Sequence, residues 1–145
     1  MRNFTIKDMS TMFNIPSSTL RYYESMGILN DVGRSPNGQR VYEDKHIHRL
    51  NTICCFKSTG MSIANLQAFF SYEDNNEEAV DEIVELLSSQ KVSVEGEILK
   101  LQTNLEHVTI KLNYYLALKN SRTLGTPAPD WKDYKTPNSA IVNEF

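Results

Sequence analysis

Along the first 70 residues, apolar positions recur at helical spacing in short bursts separated by turn residues. Thr5 followed by Asp8 resembles a capping box, which predicts a helix from Ile6 to about Phe13. Ile15-Pro16 makes a turn, because proline disfavours helix in the residue before it. A second helix is expected from Pro16 or Ser17 to about Met26, with Gly27 as its stop. Two helices joined by so short a turn form a helix-turn-helix unit. Asn37-Gly38 inside the polar stretch DVGRSPNGQRVY signals a hairpin, flanked by Arg34 and by Arg40-Val41-Tyr42. A third helix should run from about Asp44 to Ser58, with Ile47, Leu50, Ile53 and Cys54 on one face and Gly60 beyond its end. Ser62 can cap a fourth, from Ile63 to about Phe70.

From about Glu77 the pattern becomes long and regular. Val80, Val84, Leu87, Lys91, Val94, Ile98, Leu101, Leu105, Val108, Leu112 and Tyr115 alternate steps of four and three, a heptad seam interrupted at Lys91. A helix from Glu77 to Lys119 would be about 60 Å long. The preceding helices are too short to cover its stripe, so the seam is expected to self-associate, with Val94, Ile98, Leu101, Leu105, Val108 and Leu112 as dimerisation residues. Lys91 would weaken the pairing locally while helping to fix its register, and Gly96 faces outward. Beyond Arg122 come Gly125, Pro127, Pro129 and Pro137 without periodicity, a tail in which Trp131 and Tyr134 are candidate anchors on a partner, with a free, poorly ordered end as the equal alternative. The expected organisation is a domain over 1–72, a coiled-coil helix over 73–120 and a tail over 121–145.

Composition first points away from nucleic acid. The 145 residues carry a formal charge of −3. Divided by position, residues 1–62 hold eight Lys/Arg against five acids, +3, and residues 63–145 hold seven against thirteen, −6. Opposite signs in the two halves suit a chain in which only one half meets an anionic partner. The start MRNFTIKDMS lacks the apolar run of a signal peptide, and no stretch approaches the ~20 apolar residues of a membrane span. A soluble cytoplasmic protein with no membrane association is the expectation.

On a wheel, Ser18, Arg21, Tyr22 and Ser25 share one polar face of the second helix, while Leu20 and Tyr23 face the other way. A guanidinium, a phenol and two hydroxyls suit phosphates and base edges. The basic hairpin from Arg34 to Arg40 follows at once, which suggests a helix in the major groove with a wing on the backbone.

FTIKDMSTMFNIPSSTLRYYESMGIL, then GRSPNGQRVYEDKHIHRLNTI and TGMSIANLQAFF, resemble the DNA-binding domain of the MerR family of transcription regulators over about residues 4–70. The resemblance implies a mainly α fold: a winged helix-turn-helix followed by a long antiparallel coiled-coil dimerisation helix. It also implies a homodimer on palindromic double-stranded promoter DNA, with RNA polymerase as a partner. Members of that family bend and untwist an overlong promoter spacer when the effector is bound, which is readout by deformation. Carried over, Ser18, Thr19, Arg21 and Tyr22 are recognition-helix contacts, and Arg34, Arg40 and Tyr42 belong to the wing. Pro16 and Glu43 depart from the residues usual at their positions.

The effector is less legible. Cys54 and Cys55 are adjacent, so neither a disulfide framework nor a cysteine-only zinc site is expected. His46 and His48 point to different sides of one helix, and with His107 they make no ligand set, so no metal and no cofactor is anticipated. Cys55, in ICCFKSTGMS, resembles a branch of the family in which one third-helix cysteine senses aldehydes or other electrophiles, and Lys57 would favour its thiolate. The bland alternative makes both cysteines small core residues. Two other readings compete: an architectural, excisionase-like DNA-binding factor, and a cysteine-dependent enzyme with Cys55 as nucleophile and His46 or His48 as base. No oxyanion or phosphate loop accompanies that last set, so no catalytic residue is assigned.

Overall fold

The computed structural model describes residues 2–135. Helix α1 spans Ile6–Phe13, α2 Ser17–Ser25, α3 Asp44–Ser58, α4 Ile63–Asp74 and α5 Val80–Leu124. The strands β1, Gly33–Arg34, and β2, Arg40–Val41, lie between α2 and α3, and single 3-10 turns occupy Asn76–Ala79 and Trp131–Asp133. The chain is mainly helical, with a helix-turn-helix followed by one long helix, as the apolar pattern predicts.

Local chemistry sets the helix ends. Thr5 Oγ1 accepts from the Asp8 amide at 3.1 Å, and Asp8 Oδ2 accepts from the Thr5 amide at 2.8 Å, closing the expected capping box. The Thr5 amide and hydroxyl hold the Asp8 carboxyl below its ordinary 3.8. Its contribution is therefore present at neutral pH and lost as pH falls through that lowered value. Helices α2 and α3 end alike. Gly27 and Gly60 take positive φ (76° and 85°), and the Ile28 and Met61 amides reach back to the Tyr23 and Phe56 carbonyls at 3.1 Å each. That is a Schellman close, which a Cβ at the glycine would strain. Glu43, where a Ser or Thr is usual, is matched by His46: its Nδ1 accepts from the Glu43 amide at 2.8 Å.

The wing is a small antiparallel pair in which Gly33 faces Val41 and Arg34 faces Arg40. The loop Pro36-Asn37-Gly38 is closed by the Ser35 amide on the Gln39 carbonyl at 2.8 Å and the Gly38 amide on the Ser35 carbonyl at 2.9 Å. Only Gly38 of the three has positive φ, so Asn37-Gly38 marks a three-residue loop and not a two-residue turn. Phe4 and Tyr42 exchange two backbone bonds, 2.8 and 2.9 Å, and tie the base of the wing to the strand-like start of the chain.

One core cluster gathers Met9, Leu20, Tyr23, Ile28, Leu29, Tyr42, Leu50, Ile53, Met61, Leu66, Phe69 and Phe70. Every helix up to α4 contributes, and so does the base of the wing. Arg49 braces the cluster from outside. Its Nε donates to the Ile28 carbonyl at 2.6 Å, and its guanidinium lies 3.9 Å over the Phe70 ring.

The chain divides into two compact units between Lys91 and Val92. The first therefore includes the opening turns of α5, beyond the boundary expected at residue 72. Ile83, Leu86 and Leu87 pack against the core, and Gln90 Nε2 donates to the Thr59 carbonyl and hydroxyl at 3.1 and 2.9 Å. Leu87, expected in the dimer seam, is thus spent inside the first unit, while Val80 and Val84 stay exposed. The helix also begins at Val80 after a 3-10 turn and continues to Leu124, against the expected 77–119.

In the second unit the tail folds onto its own helix. The rings of Trp131 and Tyr134 meet Tyr114 edge-on, with centroids 5.2 and 5.8 Å apart. Lys111 Nζ sits 4.1 Å over Trp131, and the Thr126 amide bonds the Ser121 carbonyl at 3.0 Å. These aromatics were expected on a partner or free. Proline and glycine turn the chain back, which brings three rings within reach of one another. The part of the tail beyond residue 135 lies outside the described residues. Among the described residues no helix is long and apolar enough to cross a membrane.

Candidate nucleic-acid interface

Helix α2 turns Leu20 and Tyr23 into the core, which fixes its rotation. Ser18, Arg21, Tyr22 and Ser25 are consequently exposed, with Tyr22 45% accessible, and Thr19 sits at the margin of that face. The exposed set matches the helical wheel. Ser25 is partly diverted, since its hydroxyl donates to the Tyr22 carbonyl at 2.7 Å.

A cleft beside this face is lined by Thr5, Ile6, Lys7, Arg21, Arg34, Gly38, Gln39 and Arg40. Four cations from three elements converge there: Lys7 from α1, Arg21 from α2, and Arg34 and Arg40 from the wing. Such a cationic cleft flanking an exposed polar helix face is the arrangement that grips a phosphate backbone while presenting side chains to base edges. Lys7 and Gln39 were not foreseen, because nothing local in sequence links residue 7 to residues 34–40. The Phe4–Tyr42 pairing makes that link.

The wing arginines are less free than their sequence suggests. Glu24, on α2, accepts from Arg40 Nε at 2.6 Å and lies 3.5 Å from an Arg34 terminal nitrogen. Arg34 also donates to the Gly38 carbonyl at 3.3 Å.

Tyr42 requires a correction. Assigned to the DNA face by its place in the wing motif, it is fully buried, and its hydroxyl has no hydrogen-bond partner among the described residues. Burial, and then the Glu24 carboxylate, push its phenol above the ordinary 10.0. Alternation would put Tyr42 on the side of Arg40, two residues away, but past the end of the strand pair Tyr42 bonds Phe4 and drops into the core beside His46, 5.8 Å away.

The cysteines separate. Cys54 packs against the core, where burial pushes its thiol up from 9.0, and Cys55 is exposed. Lys57 does not serve Cys55, because its ammonium is drawn to the Met61 carbonyl at 3.3 Å. His46 is no base for that thiol: it is buried, and its Nε2 lies 3.1 Å from the Asn30 carbonyl while Nδ1 holds the α3 cap. His48, seven residues before Cys55 on α3, is about 10 Å away along the helix. Among the described residues no group of three or more His, Cys, Asp or Glu is placed to hold a metal ion.

Beyond the first unit, Ile98, Leu101, Leu105, Val108 and Leu112 are each between half and two-thirds exposed, and Val94 is partly buried. So regular an apolar row on a solvated helix is more than scattered surface hydrophobics.

Comparison with known proteins agrees with this geometry. The pattern of the MerR HTH family of regulatory proteins matches residues 4–73. An uncharacterised HTH-type transcriptional regulator of Haemophilus influenzae is 29% identical over 116 residues, 80% of this chain and 86% of the relative. The HTH-type transcriptional regulator AdhR of Bacillus subtilis is 30% identical over 86 residues, 59% of this chain and 61% of its own length. Among solved structures, HiNmlR, a MerR family regulator lacking the sensor domain and bound to promoter DNA, superposes with a TM-score of 0.72. It is 28% identical, over 86% of this chain and 97% of that one. A MerR family regulator from Bacillus thuringiensis shares the fold, with a TM-score of 0.67 at 24% identity over 77% and 98% of the two chains. These relatives are regulators and not enzymes. The match over residues 4–73, borne by a helix-turn-helix whose core, wing and exposed face are in place, marks the winged unit as similar to the DNA-binding domain of the MerR family of transcriptional regulators.

Proposed function

We propose that the chain is a dimeric regulator that binds a palindromic promoter operator. Ser18, Thr19, Arg21 and Tyr22 enter the major groove, Lys7, Arg34 and Arg40 meet the backbone, and α5 supplies the dimer contact. The observation that carries this is the convergence of four cations on one cleft beside the exposed face of α2. Dimerisation through Val94, Ile98, Leu101, Leu105, Val108 and Leu112, with the two helices antiparallel, would cover the exposed row of α5 and set two heads on the two half-sites. Bending or untwisting the spacer in an effector-dependent way, so that RNA polymerase engages the promoter, completes the reading.

The test starts with genomic fragments selected on the purified protein and footprinted. Protection between promoter elements supports a regulator, and protection at an attachment site supports an architectural, excisionase-like factor. In the same assay Arg21→Ala should weaken binding by about 1–3 kcal/mol per half-site while the dimer stays intact. Unchanged affinity would remove Arg21 from the interface.

For the effector, the exposure of Cys55 supports electrophile sensing, since an accessible thiol is what an aldehyde can reach. Cys55→Ser should abolish aldehyde induction of the target promoter without changing operator affinity. Induction of normal size in that variant sinks the sensor role.

A further inference from the structure

The geometry points to Glu24 as the residue that sets DNA specificity by fastening the wing to the recognition helix, at a cost in raw affinity. This inference rests on the DNA-binding reading above and deepens it.

Arg34 and Arg40 are direct cross-strand partners on the antiparallel pair. Two guanidinium side chains directly opposite each other repel, which opposes closure of a wing only two residues wide on each strand. The carboxylate that answers both does not come from the wing. Glu24 reaches across from α2, taking the Arg40 Nε at 2.6 Å and approaching Arg34 at 3.5 Å, with its own side chain three-quarters buried. Arg40 is buried to the same extent, so this pair is shielded from competing water and salt more than an ordinary surface pair. Besides this bridge, wing and helix share the core cluster that gathers Tyr42 with Leu20 and Tyr23, whereas the Arg34 bond to Gly38 is internal to the wing.

Two consequences follow from the charges. With Glu24 between them, two wing cations present one net positive charge to a phosphate backbone. With Glu24 present, the distance and angle between the wing and the exposed face of α2 are also held, so both contacts fall in register on a single DNA shape. Sequence-independent binding grows with the number of free cations, whereas discrimination needs groups held in place. Glu24 therefore trades the first for the second. It is a positioning residue and touches no base in this role.

The experiment compares wild type, Glu24→Gln and Glu24→Asp, each as the full chain, on two duplexes of equal length: the fragment selected from the genome and a scrambled copy. Affinities are measured across a salt series. Glu24→Gln removes the charge at constant volume. It should bind the scrambled duplex about threefold more tightly, with a salt dependence steeper by about one released counterion per head, and the selected fragment about tenfold more weakly. The ratio of the two affinities should fall about thirtyfold. Glu24→Asp keeps the charge but shortens the reach, so it should leave the scrambled duplex unchanged and still lose affinity for the selected one. A role limited to supporting the fold would instead lower both affinities together and lower the melting temperature. Equal losses on the two duplexes, or a ratio within twofold of wild type in Glu24→Gln, overturn the inference. If that variant does not fold, Glu24→Asp decides it by the same ratio. A wild-type protein that selects no fragment overturns the DNA-binding reading itself, a result distinct from an unchanged ratio.

Discussion

Leu101→Glu combined with Leu105→Glu should leave a monomer of 16.6 kDa in sedimentation at micromolar concentration, with operator binding weakened by more than a hundredfold. Both leucines are about two-thirds exposed and lie in the middle of an apolar row that no described part of the chain covers. Burying a leucine side chain is worth about 1.5–3 kcal/mol, and a symmetric pairing counts each residue twice. Four carboxylates placed in that interface would have to be desolvated without partners, which costs more than the lost burial. Each monomer retains the winged unit, whose core does not involve these residues, so single half-site contacts survive and only the sum over two half-sites is lost. A species of twice the mass at the same concentration would show that two copies pair through a surface other than this row. The double variant should keep the melting transition of its winged unit.

Tyr42→Phe should fold, bind DNA as wild type does and gain up to about 1 kcal/mol of stability. Tyr42→Ala should lose about 3–5 kcal/mol, enough to unfold the winged unit at physiological temperature. The ring is fully buried between the base of the wing and α3, so truncation leaves a large cavity. Its hydroxyl is buried with no partner among the described residues, so removing that oxygen removes a desolvation cost and breaks no hydrogen bond there. Chemical denaturation of the two variants, read beside their DNA affinity, separates core from contact. A Tyr42→Phe protein of normal stability but weakened operator binding would return the hydroxyl to the interface.

The contrast between Tyr42 and Arg21 shows what a linear pattern can carry. Arg21 lies inside a helix, where 3.6 residues per turn converts spacing directly into a face. Once Leu20 and Tyr23 are buried, Arg21 has to be outside. Tyr42 follows a strand of two residues, too short for alternation to fix a side. Its burial is decided by Phe4, 38 positions earlier, through a backbone pairing that no local propensity encodes. Glu24 fails to stand out for the same reason. On the wheel it is one more acid, and only the closed wing shows that two arginines ten and sixteen residues later converge on it. The seam of α5 is intermediate. Periodicity identifies the apolar row, but Leu87 belongs to that row by spacing and to the core of the winged unit by contact.

The sequence alone determined what short-range physics governs. The Thr5–Asp8 cap, the glycine stops at 27 and 60, the outward face of α2, the long apolar row of α5 and the +3 and −6 division of charge all depend on residues within a few turns of one another. Only the tertiary structure decided what depends on closure over tens of residues. It sent Tyr42 inward, bridged two like-charged arginines with a carboxylate from another element and added Lys7 to their cleft. It also joined the first turns of α5 to the winged unit and folded Trp131 onto Tyr114. Each of these trades a residue's local preference for burial or charge compensation supplied by a distant partner, and a distant partner has no fixed spacing along the chain for a pattern to detect.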